Sequence, residues 1–207
     1  MRYGEALVRE VLAKHISESK GRARTVLQVT AAALDKVASH LEFYIACFCR
    51  EPGLLSQWRG YGTSAGRFCI AFESQKLFYE TSALTYHLKR VVYAREDQIA
   101  KIEGVIAKAL ESVHQLLQIK SELQKECGEG ICVALFEKLV QEMCFFKHPG
   151  FAEEKEWRSV HQLEDPAKIQ FEPSAGTIRP FVELFTGRGE PGLLPIDHVI
   201  VGSSLLA

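Results

Sequence analysis

Apolar residues recur at helical spacing from the start of the chain. Between Gly4 and Ser19, the positions Leu7, Val11, Leu12 and Ile16 fall on one face of a 3.6-residue period. A break containing Gly21 follows. Val26, Val29, Ala33, Val37 and Leu41 then resume the period, which predicts a second helix. The pattern next shortens: Phe43 to Cys49 is a compact β-branched and aromatic run, bounded by Glu51-Pro52-Gly53, and reads as a buried strand. Leu54 to Gly62 reads as a turn of helix entering a glycine-rich loop. Gly66 to Phe72 and Leu88 to Tyr93 read as further strands.

A longer helical stripe follows through Ile99, Ile102, Val105, Ile106, Ala109, Leu110, Val113, Leu116 and Leu117. Gly128-Glu129-Gly130 is expected to break it, with another helix from about Ile131 to Phe146. After His148-Pro149-Gly150 the pattern turns to strands, at Trp157 to Leu163, Ile169 to Phe171, Ile178 to Phe185 and His198 to Val201. Helices and strands are segregated, so the expected class is α+β, with a mixed or antiparallel sheet rather than repeating βαβ units. The N-terminal helices and a long helical-pair insert at about 96–146 belong to one domain, 1–207 in this reading.

Composition narrows the functional classes. A chain of 207 residues can bury roughly 70% of its unfolded surface, so it needs neither disulfides nor a structural metal. Hydrophobic residues at 47% and charged residues at 25% exclude disordered, collagenous and coiled-coil fibre classes. Lys and Arg number 25 against 26 Asp and Glu, a formal charge of −1. The broad positive footprint of a general nucleic-acid or anionic-membrane binder is missing. Met1-Arg2-Tyr3-Gly4-Glu5 leads into no apolar stretch of the kind a secretory signal carries. Phe43 to Phe48 and Leu193 to Val201 are too short or too interrupted to span a bilayer. The expectation is a soluble, cytoplasmic protein with no membrane partner.

The six cysteines show no paired C-x-x-C or H-x-x-x-H hooks, so no metal site is expected. Cys47 and Cys49 flank Phe48 and would share a strand face, Cys69 lies in a similar run, and Cys132 and Cys144 lie in a helical pattern. They are expected to be small buried hydrophobes in a reducing compartment.

Several clusters acquire meaning through their order. Cys47-Phe48-Cys49 precedes Trp58-x-x-Tyr61. Gly66-x-x-Cys69-Ile70-x-Phe72, Val91-Val92-Tyr93 and Lys147 follow, then Glu154-x-Glu156-Trp157-Arg158 and His198-Val199-Ile200-Val201-Gly202. Over roughly 43–202 this order resembles a mostly bacterial and phage family, the "domain of unknown function twenty-nine seventy-one". Cys49 stands where that family usually has Ser, and Gly62 where it has Ala. The family's usual N-terminal strand has no expected counterpart here, because Arg2-Tyr3-Gly4-Glu5 stands at the tail of the turn that follows it.

Glu154 and Glu156 are the candidate catalytic residues. Two apart on a strand, their carboxylates would project into one space. Mutual repulsion would raise one pKa, leaving one carboxylate to stabilise a cation and the other to take a proton. ADP-ribosyltransferases use such a pair beside a loop to hold the nicotinamide ribose and activate the acceptor. The likeness to them is a fold-level analogy. It makes NAD a candidate substrate, although no cofactor is firmly implied, and suggests a role in bacterial or phage defence. Trp58 and Tyr61 are expected to form an aromatic wall, and Arg59 and Arg67 with neighbouring glycines to bind phosphate. Arg158 and Lys147 complete the binding set.

The competing reading makes the chain a non-enzymatic regulatory or protein-interaction module. In it the same Glu, Arg and Trp residues form a structural cluster, Glu154 or Glu156 pairs with Arg158 or Lys147, and the helical insert binds a partner. A third reading, local nucleic-acid contact through Arg22, Arg24, Arg59 and Arg67, has the least support from the net charge. The partner is an unidentified protein or small molecule.

Overall fold

The computed structural model describes residues 2–37, 42–61, 68–81, 86–118, 124–162, 166–174, 176–183 and 194–202. In chain order the elements are α1 (Arg2–Glu18), α2 (Gly21–Val37), β1 (Phe43–Cys49), α3 (Leu55–Tyr61), β2 (Phe68–Phe72), α4 (Ser74–Thr81) and β3 (Tyr86–Arg90). There follow α5 (Arg95–Leu116), α6 (Gln124–Met143), β4 (Glu156–Gln162), β5 (Gln170–Ser174), β6 (Thr177–Phe181) and β7 (Ile196–Val201). The class is α+β, and every pair of named strands runs antiparallel. Among the described residues no helix is long and apolar enough to cross a membrane. The chain divides into two compact units, 1–41 with 91–152 and 42–90 with 153–207.

The first unit is helical. Leu7, Leu12, Leu27, Leu34, Ile102, Ile106, Leu139 and Met143 are fully buried, drawn from α1, α2, α5 and α6. Each such side chain contributes about 1.5–3 kcal/mol of burial free energy. Glu96 and Asp97 occupy the first turn of α5, where carboxylates complement the positive end of the helix dipole. The same helix carries a buried amide, Gln98. Its nitrogen donates to the carbonyls of Val92 at 2.6 Å and Lys147 at 2.9 Å, and its oxygen accepts from Tyr3 Oη at 3.0 Å.

Three expectations are corrected here. Gly128 and Gly130 lie inside α6 rather than between helices. Glycine costs about 1 kcal/mol in a helix interior, but an added side chain at Gly128 would meet Leu116 at 3.8 Å, so this turn packs close to α5. The end of the helix moves too, from Phe146 back to Met143. Phe146 instead bridges Val92 in parallel, with Val92 N donating to Phe145 O at 2.8 Å and Lys147 N to Val92 O at 3.3 Å. The strand expected to reach Tyr93 accordingly stops at Arg90.

The second unit is built from three sheets, ordered β1-β4-β3, β2-β7 and β5-β6. In the first, β4 is central and pairs with β1 in continuous register from Phe43↔Gln162 to Cys49↔Glu156. In β2-β7, Phe68 pairs with Val201 and Ile70 with Val199, and all four are exposed. Gly176 turns β5 into β6 at φ 82°, a conformation that glycine adopts without a steric penalty. The segment after β2 forms α4, which the apolar pattern did not mark.

The helical glycines give opposite expected outcomes. Gly104 in α5 has open space around it, so Gly104→Ala should stabilise by about 0.5–1 kcal/mol. Gly4 in α1 would place a new methyl group 3.0 Å from the carbonyl oxygen of Met143, so Gly4→Ala should destabilise despite its better propensity. Thermal unfolding followed by helical circular dichroism should move up for the first variant and down for the second.

Candidate functional site

Pro149–Glu154 forms a 3₁₀ segment, and the next residue, Lys155, is left-handed at φ 46°. That conformation costs a side-chain-bearing residue roughly 1–2 kcal/mol. The Lys155 ammonium contacts the Glu51 carboxylate. Strand alternation therefore starts at Glu156. Glu154 closes the 3₁₀ segment, so the two acidic residues do not alternate along one strand as the spacing suggested. The Glu154 backbone carbonyl accepts the Cys49 thiol at 3.0 Å, and the Glu51 carbonyl lies 3.3 Å from the same sulfur.

Glu156 is buried, its side chain 6% exposed. Its Oε1 accepts from Arg158 Nε at 2.8 Å, and Arg158 Nη2 lies 3.5 Å from Oε2. Residues two apart on a strand share a face, so this pair forms within β4 itself. The register places Cys47 of β1 opposite Arg158 and Cys49 opposite Glu156. On the other side of β4, Lys89 of β3 is also opposite Arg158. Cys47, Arg158 and Lys89 thus make one row across three strands, with Cys49 and Glu156 in the next. Burial alone would depress the pKa of Arg158. Hydrogen bonding and attraction from Glu156, then from Cys47, outweigh it and hold the guanidinium above its ordinary value. On the opposite face Trp157 pairs in register with Arg90, whose guanidinium carbon is 6.0 Å from the ring centroid, a cation–π distance.

The other expected site residues are more dispersed. Trp58 is half-buried and its indole N–H donates to the Pro52 carbonyl at 2.9 Å, closing the turn after β1. Tyr61 is 75% exposed and Arg59 is exposed, so the short helix α3 does not present its two aromatics alike. Lys147 belongs to the helical unit, with its ammonium 5.1 Å from the Phe151 ring centroid. Arg67, Gly62 and Gly66 lie outside the described residues. Of the expected set, Glu156 and Arg158 are the pair the structure joins.

Sequence reasoning missed Cys47 and Lys89 as neighbours of Arg158. It took the cysteines as buried, whereas Cys47, Cys49 and Cys127 are exposed, and none of the six is in a disulfide. The signal was present in the alternating Cys-x-Cys and Glu-x-Arg, but only the pairing of β1 with β4 sets them face to face. Among the described residues no group of three or more His, Cys, Asp or Glu side chains is placed to hold a metal ion.

Residues 57–159 match the family model described as "Protein of unknown function (DUF2971)". This stretch carries the domain of that family. The matched stretch runs from α3 into β4 and contains Trp58, Arg59, Tyr61, Arg67, Lys147, Glu154, Glu156 and Arg158, while Cys47 precedes it. No curated protein and no solved structure matches the chain.

Glu156→Leu and Arg158→Leu should each destabilise the second unit by roughly 3–5 kcal/mol, because each leaves a buried charge without its partner. The double substitution should recover most of that loss. Chemical denaturation of the three variants beside the parent measures the coupling, and near-additive losses would show that the pair has no structural weight.

Proposed function

We propose that this chain, which carries a DUF2971 domain, is a non-enzymatic regulatory or protein-interaction module in which Glu156, Arg158 and Trp157 brace the central sheet strand. The observation that carries this reading is the state of Glu156, a nearly inaccessible carboxylate already bonded to a guanidinium. An ADP-ribosyltransferase-like centre would need that carboxylate to face the nicotinamide ribose. Freeing it would leave Arg158 buried without its acidic partner, at about 3–5 kcal/mol. Taken from the affinity for NAD, that cost is two to four orders of magnitude, at about 1.4 kcal/mol per tenfold.

A second feature supports an interaction role. Phe68, Ile70, Val199 and Val201 form an exposed apolar face on β2-β7, a surface character associated with macromolecular contacts.

Titrating NAD into the full chain should give no binding heat into the millimolar range, and Glu156→Gln should lower the unfolding midpoint. Binding of NAD that Glu156→Gln abolishes, with the midpoint unchanged, would replace this reading with the transferase one.

A further inference from the structure

Two strands alone bury little apolar surface, and the β2-β7 sheet leaves Phe68 67% and Val201 69% exposed. Among the described residues β2 pairs with β7, and its other edge meets no strand. The two edges of this sheet differ in kind. Along β7, Asp197 and His198 bring polar groups, and the register slips between Ala71 and Phe72 so that Asp197 is passed over. Charge and irregular pairing are what discourage a further strand from adding to an edge. The β2 segment, Phe68-Cys69-Ile70-Ala71-Phe72, carries neither charge nor proline. The backbone N–H and C=O groups on its outer side are a template for another strand.

The order of residues in β2 says which strand fits. Large and small side chains alternate symmetrically about Ile70. A second copy of the strand, brought up antiparallel about a twofold axis at Ile70, sets Phe68 opposite Phe72, Cys69 opposite Ala71 and Ile70 opposite itself. Phe68 and Ile70 belong to the exposed apolar face, so the large side chains of each copy meet those of the other across the seam. In the sequence Arg67 precedes the strand and Glu73 follows it. The same antiparallel approach therefore brings the basic end of each strand toward the acidic end of the other. A formal charge of −1 gives two copies little mutual repulsion.

We propose that the chain forms a twofold dimer through the outer edge of β2, joining two β2-β7 sheets into one four-stranded antiparallel sheet with the β2 strands at its centre. A seam of five residues is much smaller than the roughly 800 Å² per partner of a standard interface. The dimer is accordingly weak and comes and goes with protein concentration. This inference rests on the interaction reading of β2-β7 and gives that face a partner, a second copy of the chain. It is separable from the Glu156–Arg158 brace: the unfolding midpoint of Glu156→Gln tests the brace, and self-association tests the seam.

Sedimentation velocity on the full chain, from about 1 to 500 μM, should show monomer at the low end and dimer at the high end. Ile70→Lys opposes two ammonium groups at the axis and should weaken the dimer by about tenfold. Val133→Lys, the same change at an exposed position on α6, should leave it unaltered. The register is read by Ala71→Cys. Directly opposed residues have Cα atoms about 4.5–5.5 Å apart, inside the about 4.4–6.8 Å that a disulfide spans. Oxidation with diamide should then link the introduced thiol to Cys69 of the second copy, identified by peptide mass spectrometry. Within one chain the two thiols start from β-carbons roughly 6.6 Å apart, too far to bridge. A chain that stays monomeric throughout assigns the edge to a strand of some other protein and overturns the proposal. So does association that ignores Ile70→Lys, open-ended aggregation in place of a dimer, or a thiol at position 71 that links only to cysteines other than Cys69.

Discussion

The three-stranded sheet β1-β4-β3 depends on a charge that has been taken out of water. Arg158 lies on the central strand β4, and its guanidinium is only tolerable there because Glu156 meets it from the same face at 2.8 Å. A buried guanidinium without a partner costs several kcal/mol, a large fraction of the margin by which most domains are folded at all. That requirement fixes which face of β4 turns toward the pair. Through the register, it also fixes which residues of β1 and β3 stand beside it. Cys47 and Lys89 acquire their surroundings from this constraint, and so does the arginine–tryptophan contact on the reverse face.

The helical unit solves a comparable problem without charge. Gln98 buries a neutral amide and satisfies it with two backbone carbonyls and a phenol, joining α1, α5 and the segments around Val92 and Lys147. A neutral amide is less costly to desolvate than an ion, and its hydrogen bonds are directional, so it specifies geometry with less at stake if one contact loosens. The two units thus use different polar devices: one locks a strand through an ion pair, the other ties loops to helices through an amide.

Helices α1 and α5 were legible in the sequence because their apolar stripes are long and periodic, as Leu7 to Leu12 and Ile102 to Val113 show. In α2 the helix was legible but its buried face was not, since Val29 and Val37 of the expected stripe are exposed and Leu27, Thr30 and Leu34 are buried beside Val26. The α+β class followed from the grouping of those stripes apart from the short strands. Element ends were less legible, since Gly128 and Gly130 look like breakers until α5 packs against that turn. At the site, the spacing that stood out was that of Glu154 and Glu156, and the bond between Glu156 and Arg158 was one of several pairings the non-enzymatic reading allowed. The left-handed Lys155, which removes Glu154 from that strand, carries no composition signal, because lysine is not a residue that favours φ of 46°. Cys47 beside Arg158 depends on pairing two segments remote in sequence, which no local pattern contains.

That remoteness shapes how the molecule is assembled. Cys49 and Glu154 are 105 positions apart, a long stretch of chain to close before the β1-β4 seam yields any contact. Gln98 and Lys147 are bonded across 49 positions within that same stretch. The remaining contour is about half as long, which lowers the entropy of closure by roughly 0.6 kcal/mol. The helical unit thus shortens the chain that has to be closed between β1 and β4, so the contacts of one unit reduce the entropic cost of the strand seam in the other.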